Sequence, residues 1–163
     1  MLHLDIEKNL SISKCIENFY IKEKLDEKNK YLCKNCKKKQ TCSKFSSIEL
    51  FPEILIIHLK RFSYSGYYSA KKDYKIEIDD ALEFSYDDCK GSKEITHYDL
   101  ISIINHQGTL EGGHYTAFCK DVPSQKCYYF NDSQVSLIHN FGDEQSESAY
   151  IVFYQKKDNC ILL

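Results

Sequence analysis

Gly112-Gly113-His114-Tyr115 places a histidine behind two glycines, and Asn131-Asp132 follows with a carboxamide and a carboxylate seventeen and eighteen residues later. An imidazole that can accept a proton, with a neighbour that can hold its ring, is the basic half of a cysteine-nucleophile active site. His114–Lys120 is rich in β-formers, Val122-Pro123-Ser124-Gln125 reads as a turn, and Cys127–Phe130 reads as a second, aromatic strand. Paired as a hairpin, these strands bring His114 directly or diagonally across from Asn131 or Ser133. Such neighbours sit ~5 Å or ~7–8 Å apart, although the spacing leaves the register open. Asn131 and Asp132 alone would also suit a plain turn after a strand. The glycine pair permits positive φ and close approach of another backbone, which suits a narrow channel for an extended peptide tail.

Other thiols and imidazoles in the chain have competing readings. Cys33-Lys34-Asn35-Cys36 is half of a zinc-type ligand set flanked by lysines. Only Cys42 follows nearby, so an incomplete knuckle and an occupied site are both open; redox use lacks a surrounding βαβ pattern. Cys15 falls on the apolar face of a predicted helix. Cys119 has the opposite strand parity to His114. Cys127 is a core position, and Cys89 and Cys160 lie in polar or terminal surroundings. None stands at a helix N-terminus, where a thiolate is stabilised. His58 reads as a core or palm residue, His106 as a loop residue and His139 as a surface residue.

The elements that must position these groups are mostly strands. Ser11 can cap a helix with Ile12, Cys15, Ile16, Phe19 and Tyr20 on one face. Ile54–Leu59 reads as a strand buried on both faces. Lys22–Lys30 reads as solvated, Tyr64–Tyr74 as a mobile loop and Asp79–Glu94 as irregular. The fold class is α+β, mainly antiparallel β with at least one helix.

Several segments, in order, resemble the ubiquitin-specific proteases, the papain-like deubiquitinating cysteine proteases. Gly112–Tyr115 with Phe130-Asn131-Asp132 is similar to their histidine box. Tyr31-Leu32-Cys33-Lys34-Asn35-Cys36 resembles the second CxxC of their fingers. Phe51–Phe62 resembles a central palm strand, Tyr98–Gly108 the strand leading into the histidine box, and Ala149–Tyr154 the closing strand. Together these run from about Asp5 to Gln155. The resemblance implies that His114 is the general base, Asn131 its orienting partner and Asp132 a supporting neighbour. It also implies that Gln107, Gly108, Gly112, Gly113 and Tyr115 line a channel for the ubiquitin tail, with Gln107–Gly113 as a covering loop. Cys33 and Cys36 become half of a structural zinc site in the complete domain.

The chain departs from the family in three places. Nothing in Met1–Tyr20 resembles the family's cysteine box, the first CxxC of the fingers is missing, and Cys127 stands where tryptophan is usual. The chain thus reads as one incomplete papain-like catalytic domain, with fingers at about 1–50 and palm at about 51–163. Its partners would be ubiquitin, ubiquitinated proteins and the missing N-terminal half of the domain.

Composition narrows the alternatives. The 163 residues are 42% hydrophobic and 13% aromatic, enough for one core. A net charge of −2 argues against nucleic acid. There is no apolar run near 18 residues and no signal-peptide pattern, so no membrane span or secretion is expected. Eight cysteines then read as reduced thiols, in cytoplasm or nucleus. Three functions stay in view: a deubiquitinase carrying the His/Asn half without its nucleophile, an inactive ubiquitin-binding or scaffolding module, and a zinc-ribbon interaction domain.

Overall fold

A computed structural model describes residues 1–66, 68–87, 93–141 and 147–157. In chain order the elements are β1 (Leu2–Leu4), β2 (Leu10–Ser11), α1 (Ile12–Phe19), β3 (Glu23–Lys24), a 3-10 turn (Glu27–Asn29), β4 (Tyr31–Leu32), β5 (Lys39–Gln40), β6 (Ser43–Lys44), β7 (Ile54–Leu59), β8 (Phe62–Ser65), β9 (Tyr68–Lys71), β10 (Ile76–Glu77), β11 (Ala81–Asp87), β12 (Lys93–Gly108), β13 (Gly113–Asp121), β14 (Lys126–Asn131), β15 (Gln134–Ile138) and β16 (Ala149–Lys156). The fold is mostly sheet with one α-helix, as the sequence predicts.

An eight-stranded sheet runs β1-β7-β16-β12-β13-β14-β15, with β11 added to β12. Within it β1–β7 is parallel and the other pairings are antiparallel. β12 is the spine, pairing along its length with β11, β13 and β16. α1 closes one face. Ser11 caps it by accepting from the Lys14 amide at 3.1 Å, and Ile12, Cys15 and Ile16 are buried. Leu4, Ile6, Ile57, Leu59, Ile103, Val152 and Tyr154 complete this core.

Four expectations are corrected. Ile54–Leu59 is not buried on both faces. Leu55, Ile57 and Leu59 are buried, while Ile54 is 41% exposed and Ile56 and His58 are half-buried. The uncovered face continues across the sheet as half-exposed Ile151, Phe153 and Ile104, ending at exposed Val135 and Leu137 on the edge strand.

The Tyr64–Tyr74 segment is not a loop but largely the β8–β9 hairpin, turning at Gly66 with φ 58°. Within Asp79–Glu94, Ala81–Asp87 is not irregular but pairs with Lys93–Asp99, and residues 88–92 lie outside the described residues. Its period-2 pattern, with Leu82 and Phe84 inward, outweighs the local acidity. His106 is a buried strand residue rather than a loop residue, 4% exposed on β12.

Besides the β8–β9 hairpin and the parallel β2–β10 pair, two short ribbons stand outside the sheet among the described residues. β3 pairs with β6, and β4 pairs with β5 to present Cys33 and Cys36 at the tip. Lys22–Lys30 is largely exposed, as predicted.

Candidate active site

The predicted hairpin forms. β13 and β14 pair from Asp121↔Lys126 to Ala117↔Phe130 about the Val122–Gln125 turn, where Gln125 takes φ 57°. One step further Asn131 comes level with Thr116, so His114 lies on the diagonal and on the same face. His114 Nε2 stands 2.6 Å from Asn131 Oδ1. Because an amide oxygen only accepts, Nε2 carries the proton, and the lone pair of the neutral ring is at Nδ1. His114 is exposed, so Nδ1 is accessible to a second reactant.

Asp132 is not part of this bond. It occupies the β14–β15 turn between Asn131 and Gln134, in the left-handed region at φ 51°. Its carboxylate makes no hydrogen bond or ion pair among the described residues. The structure thus brings His114 and Asn131 together and leaves Asp132 beside them.

The proposed channel residues also differ from the expected loop. Gln107 and Gly108 end β12 as partners of His114 and Gly113, so only Thr109–Gly112 is loop. The positive φ falls at Gly108, 129°, and not at the Gly112-Gly113 pair. A Cβ at Gly108 would strike the Gly112 carbonyl oxygen, and one at Gly113 would strike the His106 ring; nothing lies near Gly112. Close approach, more than backbone freedom, therefore explains Gly113. Tyr115 is 54% exposed on the sheet face opposite His114, with its ring centre 4.7 Å from that of His106.

No described cysteine meets His114. Cys119 Sγ lies 3.2 Å from Ser102 Oγ, on the other face of β13. Cys127 is buried in β14 and Cys15 in α1. Burial pushes the Cys15 thiol up, with nearby Glu7, Asp79 and Asp5 adding to the rise, which disfavours a nucleophilic thiolate. Cys89 and Cys160 lie outside the described residues.

Cys33 has a different setting. The backbone N–H groups of Cys36 and then Asn35 point at its sulfur and hold the thiol below its ordinary value. That is a thiolate environment of the kind zinc requires. Among the described residues no group of three or more His, Cys, Asp and Glu side chains could hold a metal. These two thiols fit half of a tetrahedral site.

Two residues that the sequence does not mark as supporting the site are Arg61 and His106. Arg61 is fully buried and donates to the carbonyls of Ala149 (Nε, 2.5 Å), Lys72 (Nη1, 3.0 Å) and Tyr74 (Nη1, 2.9 Å), tying β16 to the β9 exit. Strand parity signals it, since Leu55, Ile57, Leu59 and Arg61 alternate onto the buried face. His106 has no comparable signal in the sequence.

Comparison with known proteins places the chain in a family. The family model described as ubiquitin carboxyl-terminal hydrolase matches residues 5–154. Ubiquitin carboxyl-terminal hydrolase 4 of Pongo abelii is 40% identical over 153 residues, covering 92% of this chain and 16% of that protein. Ubiquitin carboxyl-terminal hydrolase 15 of Homo sapiens is 39% identical over 155 residues, covering 91% and 15%. Among solved structures, the SAGA Ubp8/Sgf11/Sus1/Sgf73 DUB module bound to ubiquitin aldehyde matches with a TM-score of 0.78 and 33% identity. That match covers 96% of this chain and 35% of the solved one. The chain thus spans about a sixth of the length of these curated relatives and belongs to the ubiquitin carboxyl-terminal hydrolase family, among the ubiquitin-specific proteases.

Proposed function

We propose that this chain is the His/Asn-bearing part of a thiol-dependent deubiquitinase. The enzyme would cleave isopeptide or peptide bonds at the ubiquitin C-terminus with a cysteine thiolate supplied from outside these 163 residues. The observation that carries the reading is the 2.6 Å contact between His114 Nε2 and Asn131 Oδ1. Asn131 fixes the tautomer, so Nδ1 deprotonates the incoming thiol and then returns the proton to the departing lysine amine. Asp132 supports the turn that aims Asn131.

One further observation favours an outside nucleophile: no described thiol faces His114. Taken alone, the chain would then be a ubiquitin-binding or scaffolding module without turnover.

Ubiquitin is the proposed partner, since one solved relative is described with ubiquitin aldehyde and another with monoubiquitin. Gln107, Gly108, Gly112, Gly113 and Tyr115 would line the path of its tail. Cys33 and Cys36 would hold one side of a structural zinc, whose role is to fasten the fingers tip. Reduced thiols and intracellular ubiquitin conjugates go with a cytoplasmic or nuclear location.

The test is His114→Ala in the longer polypeptide containing the nucleophile. Turnover of a ubiquitin C-terminal substrate should vanish while ubiquitin affinity stays within a few-fold. Retained turnover would remove His114 from the chemistry.

A further inference from the structure

His106 takes no part in the proton transfers above, yet it is held from several sides. Its ring centre lies 4.7 Å from that of Tyr115, 5.4 Å from Phe62 and 6.0 Å from Tyr150. Its backbone N–H donates to Ser148 O at 2.9 Å, and its carbonyl accepts from Lys71 Nζ at 3.0 Å. Burial first, and Lys71 second, hold the imidazole below its ordinary value, so the ring stays uncharged. Its Nδ1 is fully buried with no hydrogen-bond partner among the described residues. Leaving a buried nitrogen unpaired is costly, so the placement of this ring calls for a physical reason.

The reason lies one residue before His114. A Cβ at Gly113 would fall on His106 Nε2, with Cε1 and the Gln107 carbonyl oxygen also in the way. The ring occupies the volume that a side chain at Gly113 would need. Gly113 opens β13 and pairs with Gly108, and His114 pairs with Gln107. Interiors packed at crystal density transmit displacements of this kind rather than absorb them.

We propose that His106 is a positioning residue for the His114–Asn131 pair: its imidazole, wedged into the space Gly113 leaves open, sets where β13 leaves the loop and so where His114 stands. The inference rests on the function proposed above, but its test needs no turnover.

With six histidines in the chain, the ring nitrogens can be followed by 15N NMR. In the unaltered chain His114 should report a fixed Nε2–H tautomer. In His106→Ala that signal should move toward a two-tautomer average and its Nε2 proton should exchange faster, while exposed His139 stays unchanged. Gly113→Ala should do the same, because its Cβ and the ring cannot share one space. The double variant, which frees the new Cβ of the ring and leaves it only the Gln107 carbonyl oxygen at 2.5 Å to displace, should recover part of the His114 signal relative to Gly113→Ala. Simple loss of packing would instead make the double variant the worst of the three. If His106→Ala does not fold, His106→Phe keeps the aromatic packing, and its larger ring should displace the His114 signal as well.

An unchanged His114 tautomer in a folded His106 variant would overturn the proposal, as would a double variant worse than either single one. Loss of the fold in every variant would equally overturn it, since His106 would then be purely structural. Absence of ubiquitin hydrolysis by the longer polypeptide would instead sink the functional reading and leave the coupling standing.

Discussion

His114 is aimed by one bond to one neighbour, so its function should be most sensitive to that neighbour. Asn131→Ala in the active, longer polypeptide should lower kcat by about 10–10³-fold, since orientation is lost while the proton-transfer group remains. Asp132→Ala should cost less, because its carboxylate makes no hydrogen bond or ion pair among the described residues and only the left-handed turn is disturbed. Steady-state kinetics of the two variants decide the point, and a larger loss from Asp132→Ala would exchange their roles. Much of this was legible in the sequence. A turn of known length between two strands brings residues seventeen apart within reach, and the observed diagonal is one of the arrangements that the spacing left open. His106 was not legible, because its partners Phe62, Gly113 and Tyr150 come from separate strands whose register no local pattern specifies.

At the level of elements, β1 pairs with β7 over Leu2–Leu4, and two imidazoles meet across that pairing. His3 Nδ1 and His58 Nδ1 are 2.9 Å apart, next to Tyr150. Burial, then His3, then Lys60 hold His58 below its ordinary value of 6.5, and burial lowers His106 as well. A depressed histidine binds fewer protons folded than unfolded. Its contribution to stability is therefore complete above pH about 6.5 and is lost as pH falls through the folded value. The melting temperature should fall as pH is lowered from 7.5 to 5, and His58→Gln should flatten that dependence. A pH-independent melting temperature would contradict the assignment.

The ribbon tip makes a second prediction at this scale. Cys33 and Cys36 alone lack half of a zinc shell, so the purified chain should carry well under one equivalent of tightly bound zinc by metal analysis. Stoichiometric zinc held within one molecule would show that two ligands have gone unrecognised. β11 shows why local composition misled: its acidic neighbours suggested irregular chain, while Leu82 and Phe84 at period 2 determined the strand. The β8–β9 hairpin was missed for a related reason, since Ser, Gly and Lys suit a loop as well as a tight turn.

On the scale of the whole molecule, one face of the sheet is closed by α1 and much of the other is left half-exposed from Ile54 to Leu137. The order of motifs made the family legible, and the apolar palm run made a sheet legible. Which face of that sheet is covered depends on contacts beyond any single segment. The central claim, that the basic half of a deubiquitinase is present without its nucleophile, is tested most directly by treating this 163-residue chain with a thiol-reactive ubiquitin probe and weighing the product by mass spectrometry. No ubiquitin adduct should form above background on any of its cysteines. An adduct that disappears when a single cysteine of this chain is replaced would contradict the account.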